Sequence, residues 1–214
     1  MRREERDLGL AAFAFFLSGA ASLADEVVWL KYLTLVFGAT TAATATLLAV
    51  FMGGLALGSA ICGRFVSRVR RPDLLYALLE SGVAVLALAT PLLFTAIESA
   101  YVVAFRRLGD GPGVLMPVRV LLSAAALLPP TMLMGATFPA MARAVEGVGR
   151  PGRRSTLLYG VNTAGAVAGV ALCGLLFIRT VGLHSTLAGS ACVSLFAALL
   201  VATLRFSPPR AVAA

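Results

Sequence analysis

Charge is what this chain has least of. Of its 214 residues only 13% are Asp, Glu, Lys or Arg, against 59% hydrophobic, and the mean hydropathy is +0.92. Soluble domains carry about 25% charged and about 45–50% apolar residues. A water-soluble fold of this length cannot hide so much apolar surface, so a soluble enzyme, a disordered chain and a coiled coil are all excluded. Histidine occurs once, at His184, and cysteine three times, at Cys62, Cys173 and Cys192, with no CxxC pair. That leaves no metal or disulfide framework to expect. The cysteines lie inside apolar runs and read as small buried side chains. Also missing are a Walker loop, HExxH, GxSxG and a GxGxxG set between strand and helix. His184 falls in an expected loop without a paired nucleophile. No catalytic residue, metal or cofactor is expected. The first apolar run lacks a clean small-residue cleavage site, so a cleaved signal peptide is not expected either.

What is present is six long apolar segments. They run over about Leu8–Phe37, Thr41–Cys62, Leu74–Thr95, Leu115–Ala142, Thr156–Ile178 and Thr186–Leu204. Each reaches the roughly 17–25 residues that a helix needs to cross a bilayer core. Helices are the expected form, because lipid offers backbone groups no partner outside the segment. The first segment is long for one crossing, so it tilts or lays its acidic end along the interface.

The net charge of +8 comes from seventeen arginines and one lysine against ten acids. In a soluble domain this would suggest nucleic acid; here the arginines cluster at the ends of apolar runs, so nucleic acid is not an expected partner. Thirteen of the arginines fall on one side of a six-crossing layout. They are in the N-terminus over 1–7, the links over about 63–73 and 143–155, and the tail over 207–214 and just before it. The positive-inside bias puts those links and both termini in the cytoplasm. The opposite side has a long loop over about 96–114 that contains Gly109, Gly111, Pro112 and Gly113 and is expected to be irregular. Trp29, Tyr32 and Tyr101 suit an outer aromatic belt, and Tyr159 an inner one.

An internal repeat is also visible. Gly54, Gly58, Cys62 and Gly63 match Gly165, Gly169, Cys173 and Gly174 at a constant offset, and the same offset carries Ser18-Gly19 onto Pro129-Pro130. Three crossings per unit reverse direction in the membrane. The expected fold is therefore all-α and integral to the membrane, with six transmembrane helices over 8–206 as two three-helix inverted repeats, an arrangement found in transporters. Gly54/Gly58 and Gly165/Gly169 are expected at helix-packing seams, and Pro129 and Pro130 are expected to break the fourth helix.

Few residues in these runs are able to bind a solute. Asp25 and Glu26 either sit solvated at the outer interface or are buried and hold a cation or a proton. Lys31 does not share the helix face of Glu26. Glu80 lies about 12 Å into the membrane at helical rise. It should face the bundle interior and meet an arginine, Asn162 or a cavity. Asn162 itself suits a cross-helix hydrogen bond. Arg119 and Arg179, near helix ends, are expected to snorkel.

Certain motifs are more specific. Phe15-Phe16-Leu17-Ser18-Gly19, Glu26-Val27-Val28-Trp29 and Leu35-Val36-Phe37-Gly38 occur in the first segment, and Phe51-Met52-Gly53-Gly54-Leu55-Ala56-Leu57-Gly58-Ser59 in the second. Leu128-Pro129-Pro130-Thr131, Met134-Gly135-Ala136-Thr137 and Pro139 mark the fourth, and Tyr159-Gly160-Val161-Asn162-Thr163-Ala164-Gly165-Ala166 the fifth. Over about residues 9 to 204 the chain resembles the membrane domain of the fused spermidine-synthase-like bacterial proteins, a major-facilitator-like half joined to an aminopropyltransferase. Two departures stand out: Asp25 where that family has Tyr, and Ser67 where a major-facilitator loop has Asp. The catalytic domain that would follow is not expected here, so the resemblance implies no synthase activity. It implies a bacterial inner-membrane protein that binds or moves a small cationic solute such as a polyamine, with Glu26, Glu80, Asp25 and Asn162 as the binding residues. The alternative is a non-catalytic anchor or scaffold. It would hold a separately encoded partner on the Arg-rich cytoplasmic face, whereas the solute-binding protein would pair as a homodimer in the lipid bilayer.

Overall fold

The computed structural model describes residues 2–38, 41–109, 112–145 and 152–204. Among them there is no strand. The elements are α1 (Arg2–Phe37), α2 (Thr41–Phe65), a 3₁₀ turn (Val66–Arg68), α3 (Pro72–Leu108), α4 (Pro112–Val145), α5 (Arg153–Leu172), a π-helical segment (Cys173–Phe177) and α6 (Ile178–Thr203). Five stretches are long and apolar enough to cross a membrane, the last being Arg154–Thr203. The outside of the bundle agrees with this. Leu92 is 78% exposed and Leu175 75%. Lipid accepts such a surface and water does not.

The helix ends follow local chemistry. Gly38 and Gly109, both at positive φ, close α1 and α3 by donating their N–H groups to Thr34 and Phe105, each at 3.0 Å. Pro72 opens α3 at a position where no intrahelical N–H is needed.

Several expectations need correction here. The loop expected over about 96–114 is helical at both ends, because nothing between Pro91 and Gly109 stops α3. The N-terminal stretch is helical from Arg2 onward. Pro129 and Pro130 do not break α4, which runs unbroken through Pro117, Pro129, Pro130 and Pro139. The Thr131 hydroxyl donates to the Leu127 carbonyl at 2.7 Å in the turn that follows them. His184 lies in α6, not in a loop. The tail over 207–214 and much of the link over 143–155 lie outside the described residues.

The break occurs elsewhere. Gly182 has φ 80° and ψ 175°, dihedrals that no helix contains. A straight helix from Leu158 to Val201 would separate them by about 65 Å, yet both belong to one buried cluster. The chain therefore doubles back at Gly182.

Two apolar clusters fill the two ends of the bundle. One gathers Ala11, Phe15, Tyr76, Met141, Leu158 and Val201. It sets the starts of α1, α3 and α5 beside the ends of α4 and α6. The other gathers Trp29, Leu33, Phe51, Phe94, Leu127 and Met134. Helix α2 packs on α4, α1 on α5 and α6, and α3 on α4 and α6. Among lipid tails the hydrophobic effect gives helices little reason to associate, so close packing and polar ties hold them. Glycine permits the closest approaches. A Cβ on Gly54 would collide with the Thr131 hydroxyl, and one on Gly58 with the Met132 carbonyl. Those on Gly165 and Gly169 would strike the carbonyls of Phe16 and Ala20.

Candidate functional site

The polar side chains meet where α1, α3 and α6 converge. Their sequence spacing explains this. Ser18, Asp25 and Trp29 recur at helical intervals on the buried face of α1, as do Tyr76, Glu80 and Thr90 on α3 and Ser190 and Ser194 on α6. All eight are buried, and Asp25 and Glu80 are each only 1% exposed.

Each acid has one serine partner from a neighbouring helix. Ser18 of α1 donates to Glu80 Oε1, and Ser190 of α6 donates to Asp25 Oδ1. The second oxygens, Asp25 Oδ2 and Glu80 Oε2, are buried without a hydrogen bond. The Tyr76 and Ser194 hydroxyls face Glu80 but lie outside hydrogen-bonding geometry. Glu80 is close enough to act electrostatically on Asp25. The ion pairs among the described residues are Arg6–Asp7 and Arg71–Asp73, so neither buried acid takes part in one. The site thus has negative capacity and spare acceptors, but no positive charge of its own.

The surrounding ties position this cluster. One turn beyond Asp25, the Trp29 indole donates to the Thr90 hydroxyl at 3.0 Å, and Thr90 donates onward to Leu86. Trp29, expected in the outer belt, is therefore a core residue. Cys173, first residue of the π segment, places its thiol 3.4 Å from the Ala24 carbonyl, next to Asp25. Such π-helical insertions are frequent beside functional sites. Tyr32 stacks on Phe94 with ring centroids 5.0 Å apart and lies 3.5 Å from His184 Nε2.

Of the residues singled out in the sequence, Asp25 and Glu80 are both buried among α1, α3 and α6, each bonded to its own serine. Glu26 is half-buried on another face of α1 and does not join them. Asn162 donates to the Phe15 carbonyl at 2.9 Å and ties α5 to α1. Glu80 meets Ser18, not an arginine or Asn162. Arg119 does not simply snorkel: it donates to the Tyr101 hydroxyl at 2.7 Å. Cys192 and Cys62 are not fully buried, unlike Cys173. Sequence reasoning missed Ser18, Tyr76, Ser190 and Ser194 as members of the site. The available signal was polar residues recurring every seven or four positions within apolar runs. The described residues contain no group of three or more His, Cys, Asp or Glu placed to hold a metal. Compared with protein-family models, curated proteins and solved structures, the chain matches none.

Proposed function

We propose that this chain is a polytopic membrane protein that binds a small cationic solute between α1, α3 and α6 and carries it across the bilayer. One observation carries the reading: Asp25 and Glu80 stand on different helices, both buried, each with a free carboxylate oxygen and neither in an ion pair. Ionisable groups within membrane helices are costly, and a solute pathway is a common reason to keep them. The resemblance noted above supplies the solute class, a polyamine, whose ammonium groups would bring the missing positive charge.

Six crossings follow if the doubling back at Gly182 divides the last stretch into two legs. An inverted repeat is supported by the pattern of packing. Exchanging the first three helices for the last three turns the α2–α4 contact into α5–α1, and α3–α4 into α6–α1. Arg64, Arg68, Arg70 and Arg71 adjoin the end of the bundle where α1 begins and α6 finishes. That supports a cytoplasmic placement for this end in a bacterial inner membrane.

The test is uptake of radiolabelled putrescine and spermidine into proteoliposomes, with binding measured by scintillation proximity. Wild-type protein should bind and accumulate the amine, and Asp25→Asn and Glu80→Gln should abolish both while keeping the wild-type melting temperature. Absence of binding and uptake in folded wild-type protein overturns the reading.

A further inference from the structure

The end of the bundle around the 3₁₀ turn holds a second feature, independent of the buried acids. A groove of about 340 Å³ runs between α2, the turn, α3 and α4. It is lined by Gly58, Cys62, Leu79, Met132 and Ala136 together with Phe65, Val66 and Val69. No charged side chain lines it. Four exposed arginines, Arg64, Arg68, Arg70 and Arg71, alternate in the chain with the lining residues Phe65, Val66 and Val69 or follow them. Asp73 takes only Arg71, at 2.7 Å. Arg68 is held over the Phe65 ring, 6.0 Å from its centroid, so a cation stands at the entrance of an apolar slot. None of the other three arginines has an ion pair among the described residues.

We infer that this groove binds one anionic phospholipid, an acyl chain lying along Cys62, Leu79 and Ala136 and the headgroup phosphate meeting Arg68 with Arg64 or Arg70. Charge complementarity selects the occupant. A zwitterionic lipid would fill the slot equally well but bring no net negative charge to the arginines, and a soluble phosphate would bring charge but leave the slot empty. Basic residues next to a membrane span attract anionic headgroups by about fivefold in affinity per residue. Arginine further suits phosphate because its planar donors bind two oxygens at once.

The experiment is native mass spectrometry of the purified full chain, exchanged from detergent into phosphatidylglycerol or phosphatidylcholine. Wild-type protein should retain one phosphatidylglycerol, resist displacement by millimolar inorganic phosphate, and hold phosphatidylcholine much more weakly. Arg68→Gln should weaken retention about fivefold, and Arg64→Gln/Arg68→Gln more. Cys62→Phe should abolish it by filling the slot. If Cys62→Phe does not fold, Ile61→Trp on the exposed rim fills the same space. Arg106→Gln/Arg107→Gln, remote from the groove, should leave retention unchanged. Equal retention of the two lipids overturns the inference. So does displacement by phosphate, or loss on arginine removal but not on groove filling, since each describes surface adsorption.

Discussion

Ser190 on α6 donates its hydroxyl to one oxygen of Asp25 on α1, while the other oxygen of that carboxylate is buried without a partner. The bond joins the first described helix to the last, and it is the one hydrogen bond that the Asp25 side chain has among the described residues.

Removing the donor should therefore be costly. Ser190→Ala leaves both oxygens of Asp25 buried and unpaired, a penalty of about 1–3 kcal/mol. The apparent melting temperature in detergent should fall. Adding Asp25→Val to Ser190→Ala should recover part of the loss, because the pair is coupled and its single effects do not add. Strict additivity would show that the two side chains do not interact.

The Trp29–Thr90 bond leads to a similar experiment one turn further along α1. Thr90→Val keeps the shape but strands the indole N–H in the core, and should cost about 1–3 kcal/mol. Trp29→Phe combined with Thr90→Val should be less destabilised than Thr90→Val alone, as judged by thermal unfolding.

Glycine substitutions should divide into two sets. At Gly58 and Gly169 an added methyl meets a backbone carbonyl of the facing helix. Gly58→Ala and Gly169→Ala should each cost about 1–3 kcal/mol through forced helix separation. At Gly53 and Gly189 no atom lies within 4 Å of the added Cβ. Gly53→Ala and Gly189→Ala should be neutral or stabilise by about 0.5–1 kcal/mol through a stiffer helix. Melting curves of the four variants would distinguish the sets.

Gly182 is a separate case, because space is not the constraint there. With φ at 80° it sits where an L side chain is strained, although nothing crowds it. Gly182→Ala should cost about 1–3 kcal/mol. It should also straighten the junction between α5 and α6, which distance measurements between spin labels on Leu158→Cys and Val201→Cys would report in a background lacking the native cysteines.

The helical runs were legible in the sequence because lipid requires some twenty apolar residues in a row, a signal that survives any tertiary arrangement. Asp25 and Glu80 were legible for the complementary reason, as charges with no business in such runs. The serines that meet them were not. A serine is unexceptional in a membrane helix, and Ser18 and Glu80 are 62 positions apart, so only the packing of α1 on α3 reveals the pair. Trp29 misled because an aromatic near the end of an apolar run usually marks the interface, whereas here the run continues to Phe37. The prolines misled in the opposite sense. Two of them in sequence weaken a helix in water, but within lipid the lack of alternative partners keeps the backbone helical.

The partner of Asp25 comes from the final helix, which has a consequence for how the chain is made. A carboxyl group at the centre of a helix raises the cost of its entry into the membrane by roughly 2.5–3.5 kcal/mol. Helix α1 is synthesised before α6, and Ser190 follows Asp25 by 165 positions. Until those residues have been made, α1 waits in the bilayer with its acid uncapped. The arrival of α6 supplies the donor and ends that wait.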